Sequence, residues 1–101
     1  MIPKLRVARP TNDLAALRKF YVGALGMSEL YSFKQHNGFD GLMAGHPQAP
    51  YHLEFTSQAG HVAARAPSPE HLLVLYYPEL ASWEAAVVRL RTHGYEPVPA
   101  H

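Results

Sequence analysis

Along the first half of the chain, apolar and polar positions alternate with two distinct periods. Leu5 and Val7 alternate with Arg6 and Ala8 up to Pro10, which predicts a short first strand. Thr11, Asn12 and Asp13 then supply side chains suited to capping a helix N-terminus. Leu14, Leu17, Phe20, Tyr21, Ala24 and Leu25 follow on one helical stripe, and Gly26 stands where a left-handed C-terminal cap belongs. Residues 27–35 return to an extended, aromatic-rich pattern. Asn37-Gly38 is a strong two-residue hairpin signal, so residues 39–44 are expected to run back antiparallel. After a turn over residues 45–50, Tyr51, Leu53 and Phe55 alternate with His52, Glu54 and Thr56 in a fourth strand. The predicted order is β-α-β-β-β.

Residues 58–69 are rich in Ala, Gly and Pro, carry no periodicity and read as a linker. Beyond it the opening layout returns. Residues 71–77 (HLLVLYY) predict a strand ended by Pro78, and Leu80, Trp83, Val87 and Leu90 form a helical stripe. Gly94 is placed to cap that helix, and residues 95–99 look extended. Arg6 aligns with His71, Leu14 with Leu80, and Gly26 with Gly94. This internal repeat is spaced by about two-thirds of the chain, and its second copy stops after its second strand. The organisation read from the pattern is a single domain over 1–101. Residues 1–57 form one βαβββ module, 58–69 the linker and 70–101 a partial second module.

Composition narrows the function classes. The 101 residues are 48% hydrophobic and 17% charged, as in a globular protein, and the formal net charge of +1 comes with no run of Lys or Arg. Nucleic acid is therefore not an expected partner. The chain has no cysteine, which excludes disulfides, thiolate catalysis and Cys-ligated zinc. MIPKLRVARP lacks a signal-peptide apolar core and no segment reaches membrane-spanning length, so a cytoplasmic protein without membrane association is expected. No Gly-rich phosphate loop, nucleophile elbow, Ser-His-Asp pattern or H-E-x-x-H spacing occurs.

The segment DLAALRKFYVGALGM resembles the D-L-x-x-x-x-x-F-Y-x-x-x-L-G-M helix of the vicinal-oxygen-chelate superfamily. That superfamily includes glyoxalase I, extradiol dioxygenases, fosfomycin-resistance enzymes and bleomycin-resistance proteins. The strand YHLEF and the run from EHLLVLYY into LASWEAAVVRLRTHGY agree with the resemblance. It implies an α+β fold of paired βαβββ modules, a curled mixed sheet with helices on its outer face, the second module here being incomplete. In that fold the strands' inner faces form a cup that holds a divalent metal. Carried over, the resemblance places metal ligands at Glu54 and His71. It places Arg6, which cannot coordinate a metal, at the first-strand position usually held by His or Gln.

With Leu5, Val7, Leu53 and Phe55 packed under the helix, Arg6, Ala8, His52 and Glu54 face into the cup. Two occupants then compete for the place opposite Glu54. One is a zinc, nickel, manganese or iron(II) ion held by Glu54, His71 and an improvised His52, able to polarise vicinal oxygens of a substrate. Glu54 is then the leading catalytic candidate. The other is the Arg6 guanidinium, which offers the carboxylate its positive charge and repels a cation. The expectation leans to the guanidinium and to no cofactor. Arg6, His52, Tyr31, Phe33, Phe39 and Tyr76 are the candidate ligand contacts, since small-molecule pockets are mostly apolar with a few polar anchors. Tyr77 belongs to the same aromatic group. His36, His46, His61, His93 and His101 lie at turns, in the linker, in a last helical turn or at the terminus. Unpaired strand edges in a partial module predict a homodimer, or a chain whose C-terminal part lies elsewhere. The two main function classes are a metal-free small-molecule-binding protein of the bleomycin-resistance type, and a metal-dependent lyase, isomerase or dioxygenase of the glyoxalase type; a purely dimerising interaction domain is a third reading.

Overall fold

The computed structural model describes residues 1–99, in two compact units, Met1–Ala64 and a second that begins at Arg65. The first unit holds strands β1 (Leu5–Pro10), β2 (Ser28–His36), β3 (Phe39–Gly45) and β4 (Tyr51–Gln58). A helix, α1 (Leu14–Arg18), continues without a break into a π-helical segment, Lys19–Ala24. The sheet order is β1-β4-β3-β2, with β1 parallel to β4 and the other pairs antiparallel. A helical crossover suits the parallel pair, and short turns suit the antiparallel ones.

Local chemistry explains the element ends. Asp13 caps α1 by accepting from the Ala16 N–H at 3.0 Å, and Thr11 Oγ1 accepts from the Asp13 N–H. The π-helical segment is absent from the predicted pattern, which anticipated one continuous α-helix. Its bond from Leu25 N to Phe20 O carries one extra residue in the turn. Gly26 then takes φ +78, and the Met27 N–H closes the helix end on the Tyr21 carbonyl. The same segment sets Tyr21 over Phe55, with ring centroids 4.7 Å apart and planes within 30°. Burial pushes the Tyr21 phenol above its usual range.

On the helix side of the sheet lie Leu42, Ala44, Leu53 and Phe55, all buried, with Ala24 and Met27 from the crossover. Leu5 departs from this pattern and is 60% exposed. It opens an edge strand that has a neighbour on one side only, where no second strand shelters it. Beyond β4, the Asn12 amide holds Ala63 at two points, accepting from its N–H at 2.7 Å and donating to its carbonyl at 3.2 Å. The side chain thus imitates a paired strand and ties the end of this unit to the start of α1.

The hairpin at Asn37-Gly38 forms as its sequence demands. Both residues have positive φ, +52 and +83, and His36 pairs with Phe39 across the two-residue loop. Gln35 also has φ +52, in a bulge that shifts the β2–β3 register between Phe33 and His36. Without that bulge, His36–Phe39 pairing would place Tyr31 and Phe33 opposite Ala44 and Leu42, on the helix side. With it, Phe33 stands opposite Gly41 and Tyr31 opposite Met43. Taking one residue of this sequence out of the ladder turns the two aromatics to the other face.

In the second unit, α2 (Leu80–Thr92) ends in a Schellman motif. Gly94 has φ +89, its N–H bonds to the Arg91 carbonyl, and the Tyr95 N–H bonds to that of Leu90. The expected strand over residues 71–77 is not formed, and residues 95–99 join no ladder. A strand exists through hydrogen bonds to a neighbour, and apolar alternation alone supplies none. The expected stripe of α2 is also incomplete. Ala86 is buried, while Leu80 and Trp83 are 67% and 51% exposed, because a helix buries its stripe only against an opposing layer. Among the described residues, no helix is long and apolar enough to cross a membrane.

Candidate functional site

The face of the first unit's sheet turned away from α1 carries the unit's polar and aromatic chemistry. Parity selects its members. Arg6 pairs in register with His52, Met43 with both Tyr31 and Glu54, and Gly41 with both Phe33 and Thr56. Arg6 Nε donates to His52 Nε2 at 2.9 Å. Its Nη1 lies 3.6 Å from Glu54 Oε2, and its Nη2 lies 3.9 Å from Met43 Sδ. Because an arginine Nε always bears hydrogen, His52 is the neutral tautomer protonated at Nδ1 whenever this bond is made.

Beside this polar end stand the aromatics. Phe33 lies over Gly41, where any Cβ would strike its ring. Tyr31 is tilted against Phe33 with centroids 6.2 Å apart, and His36 meets Phe33 edge-on at 6.1 Å. A large ring covering a strand glycine recovers packing that the glycine cannot supply itself. Phe39 shares the face at the hairpin end, partly covered. Met43 separates the aromatic end from the charged one, and sequence reasoning did not single it out. Two-residue alternation from Phe39 through Gly41 to Met43 was the available signal.

Five of the six candidate ligand contacts therefore share one face with Glu54: Arg6, His52, Tyr31, Phe33 and, at its rim, Phe39. Tyr76 and His71 belong to the second unit. Tyr76 is 88% exposed, and the His71 Nδ1 lies 3.0 Å from the Ser68 hydroxyl. Among the described residues, no group of three or more His, Asp and Glu side chains converges to hold a metal ion. At Glu54 the donor set fits a guanidinium rather than a metal ion. The His52 Nε2 lone pair is already engaged by Arg6, and the same guanidinium faces the carboxylate. A metal at that point would meet a fixed positive charge.

The architecture is an α+β, glyoxalase-like one: a four-stranded mixed sheet with two helices and a partial module. The crystal structure of a YycE protein from Bacillus subtilis, described as of unknown function and as a candidate glyoxalase/fosfomycin resistance protein, matches it with a TM-score of 0.87. That match has 40% identity and covers 99% of this chain and 73% of the other. The uncharacterized protein YycE of Bacillus subtilis (strain 168) is 42% identical over 95 residues, which is 94% of this chain and 68% of that protein. Residues 5–56 match the YycE-like N-terminal domain, and the chain belongs to that family. The matched segment contains β1, the crossover helix and all three later strands to within two residues of the end of β4.

Proposed function

We propose that this is a vicinal-oxygen-chelate superfamily protein that binds a small molecule on the open face of its four-stranded sheet, without a catalytic metal. The observation that carries the reading is Arg6. It stands at the first-strand position where the resemblance expects a metal ligand, and it is bonded to His52 and paired with Glu54. With side-chain exposures of 49% for Arg6 and 16% for Glu54, the pair is only partly desolvated. Such a pair contributes about 0–1 kcal/mol to stability, so its effect is to orient the guanidinium. Tyr31, Phe33 and Met43 supply apolar area next to that polar anchor, the mixture that small-molecule sites use.

Titration of the purified protein with nickel, zinc and iron(II) tests the reading. No stoichiometric binding is expected. Stoichiometric binding that Glu54→Ala abolishes would move the protein to the second class, a metal-dependent lyase, isomerase or dioxygenase using Glu54 and His71. That alternative draws its support from the description borne by the Bacillus subtilis relative and from the recessed Glu54 carboxylate. The reading includes a homodimer in the cytoplasm. Exposed Leu72, Val74, Leu80 and Trp83 support self-association, and a monomeric mass in solution would count against it.

A further inference from the structure

An arginine has five N–H donors, and of the three Arg6 nitrogens only Nε makes a short bond. Nε is committed to His52 at 2.9 Å, which closes the side-on fork made by Nε and one Nη. The contacts of the other two nitrogens are weaker. Nη1 sits 3.6 Å from Glu54, beyond hydrogen-bond length, and Nη2 faces the sulfur of Met43 at 3.9 Å, a weak acceptor. Each of these nitrogens carries two hydrogens against one long contact, so the Nη1/Nη2 edge keeps donor capacity for a ligand. Exposure sets the order of encounter: Arg6 is 49% exposed and Glu54 16%, so an arriving molecule meets the guanidinium before the carboxylate beneath it.

Resting on the small-molecule reading above, we infer that this edge of Arg6 takes the carboxylate of a ligand whose planar apolar body lies over Met43 against Tyr31 and Phe33. A planar two-oxygen anion matches the planar end-on fork. Charge argues for a monoanion: Arg6 and Glu54 already cancel, and a dianion would add a second negative charge beside Glu54. Register sets the length. Tyr31 stands opposite Met43, and Met43 opposite Glu54, so the aromatic and charged ends are two strand spacings apart. That is about 10 Å. Tyr31, 58% exposed, offers a ring face to the far end of such a ligand.

Biphenyl-4-carboxylate is a probe of this shape, and biphenyl-4-carboxamide is its neutral twin. In calorimetric and NMR titrations of the full chain, the carboxylate is expected to bind at least about tenfold more tightly than the amide, as a charge-assisted bidentate contact should. It is expected to shift the Arg6 Nε–H and the Tyr31 and Phe33 ring signals. Arg6→Gln is expected to erase the difference while both probes keep a residual, ring-dependent affinity. Arg6→Lys keeps the charge without the fork and is expected to retain only part of the difference, which preserves the test should the glutamine variant not fold. Equal affinity of the two probes for the wild type, or carboxylate affinity unchanged in Arg6→Gln, overturns the assignment of Arg6 and leaves the small-molecule face standing. Failure of the wild type to bind either probe overturns both.

Discussion

Arg6 and His52 stand opposite each other in the parallel β1–β4 register, and the 2.9 Å bond between them fixes which way the guanidinium points. Held at Nε, it lies across β4 towards Glu54 and Met43 instead of extending into solvent. A side chain on an edge strand thereby reaches the middle of the sheet.

Replacing that guanidinium with an imidazole removes the positive charge facing Glu54 and releases His52 Nε2. Arg6→His is therefore expected to bind nickel or zinc stoichiometrically, the introduced imidazole joining His52 and Glu54 as three N/O donors. Calorimetric titration reads this directly. A variant that folds but takes up no metal would show that the three positions do not converge.

Gly41→Ala tests the aromatic end. Its Cβ collides with the Phe33 ring, so the ring must leave the strand surface. Overpacking of this kind costs about 1–3 kcal/mol. Denaturant unfolding is expected to show that loss, and the ring-current shift of Phe33 on His36 to disappear. Unchanged stability and shifts would mean the ring has room to slide.

Gln35 holds φ +52 without being glycine, a conformation that carries strain for an L-residue. Gln35→Gly is expected to be neutral or stabilising by up to about 1 kcal/mol, and Gln35→Val destabilising by about 1–2 kcal/mol. A larger cost for glycine than for valine in thermal unfolding would refute the bulge as the source of strain.

Tyr21 gives a pH dependence of definite sign. Burial raises its folded pKa above the ordinary 10.0, so the neutral phenol is the form the fold prefers. That contribution is complete below pH 10.0 and is lost as pH rises through the folded value. Stability is expected to decline on the alkaline side, and Tyr21→Phe to flatten that decline. An identical alkaline limb in the variant would assign it to other groups. At the acid side Glu29 behaves oppositely: its 2.7 Å bond from Arg18 lowers its pKa, so this link is lost as pH falls through that depressed value.

Where structure follows from local chemistry, it was legible. The Asp13 cap, the glycine at Gly26 and the Asn37-Gly38 turn each act within a few residues, and all three form. Alternation in β1 and β4 also placed Arg6, His52 and Glu54 on one face, which made their pairing readable in advance. Residues 71–77 failed the same approach because their alternation has no ladder to join. The bulge at Gln35 was invisible for a different reason. Glutamine is not a residue that announces a left-handed backbone, so nothing indicated that Tyr31 and Phe33 would change faces and meet Met43 and Gly41. The π-helical segment likewise leaves the stripe of Leu14 to Leu25 intact on paper.

The β2 bulge makes this strand a place where heredity can act in single steps. Losing one residue at Gln35 would leave Lys34 alone opposite Asp40, so the ladder would become regular while Phe33 stayed opposite Gly41 and Tyr31 opposite Met43. A one-codon deletion at the bulge would thus straighten the strand and keep its aromatic surface. Among descendants of a common ancestor, the length of β2 is then expected to vary at this point without changing which face carries Tyr31 and Phe33.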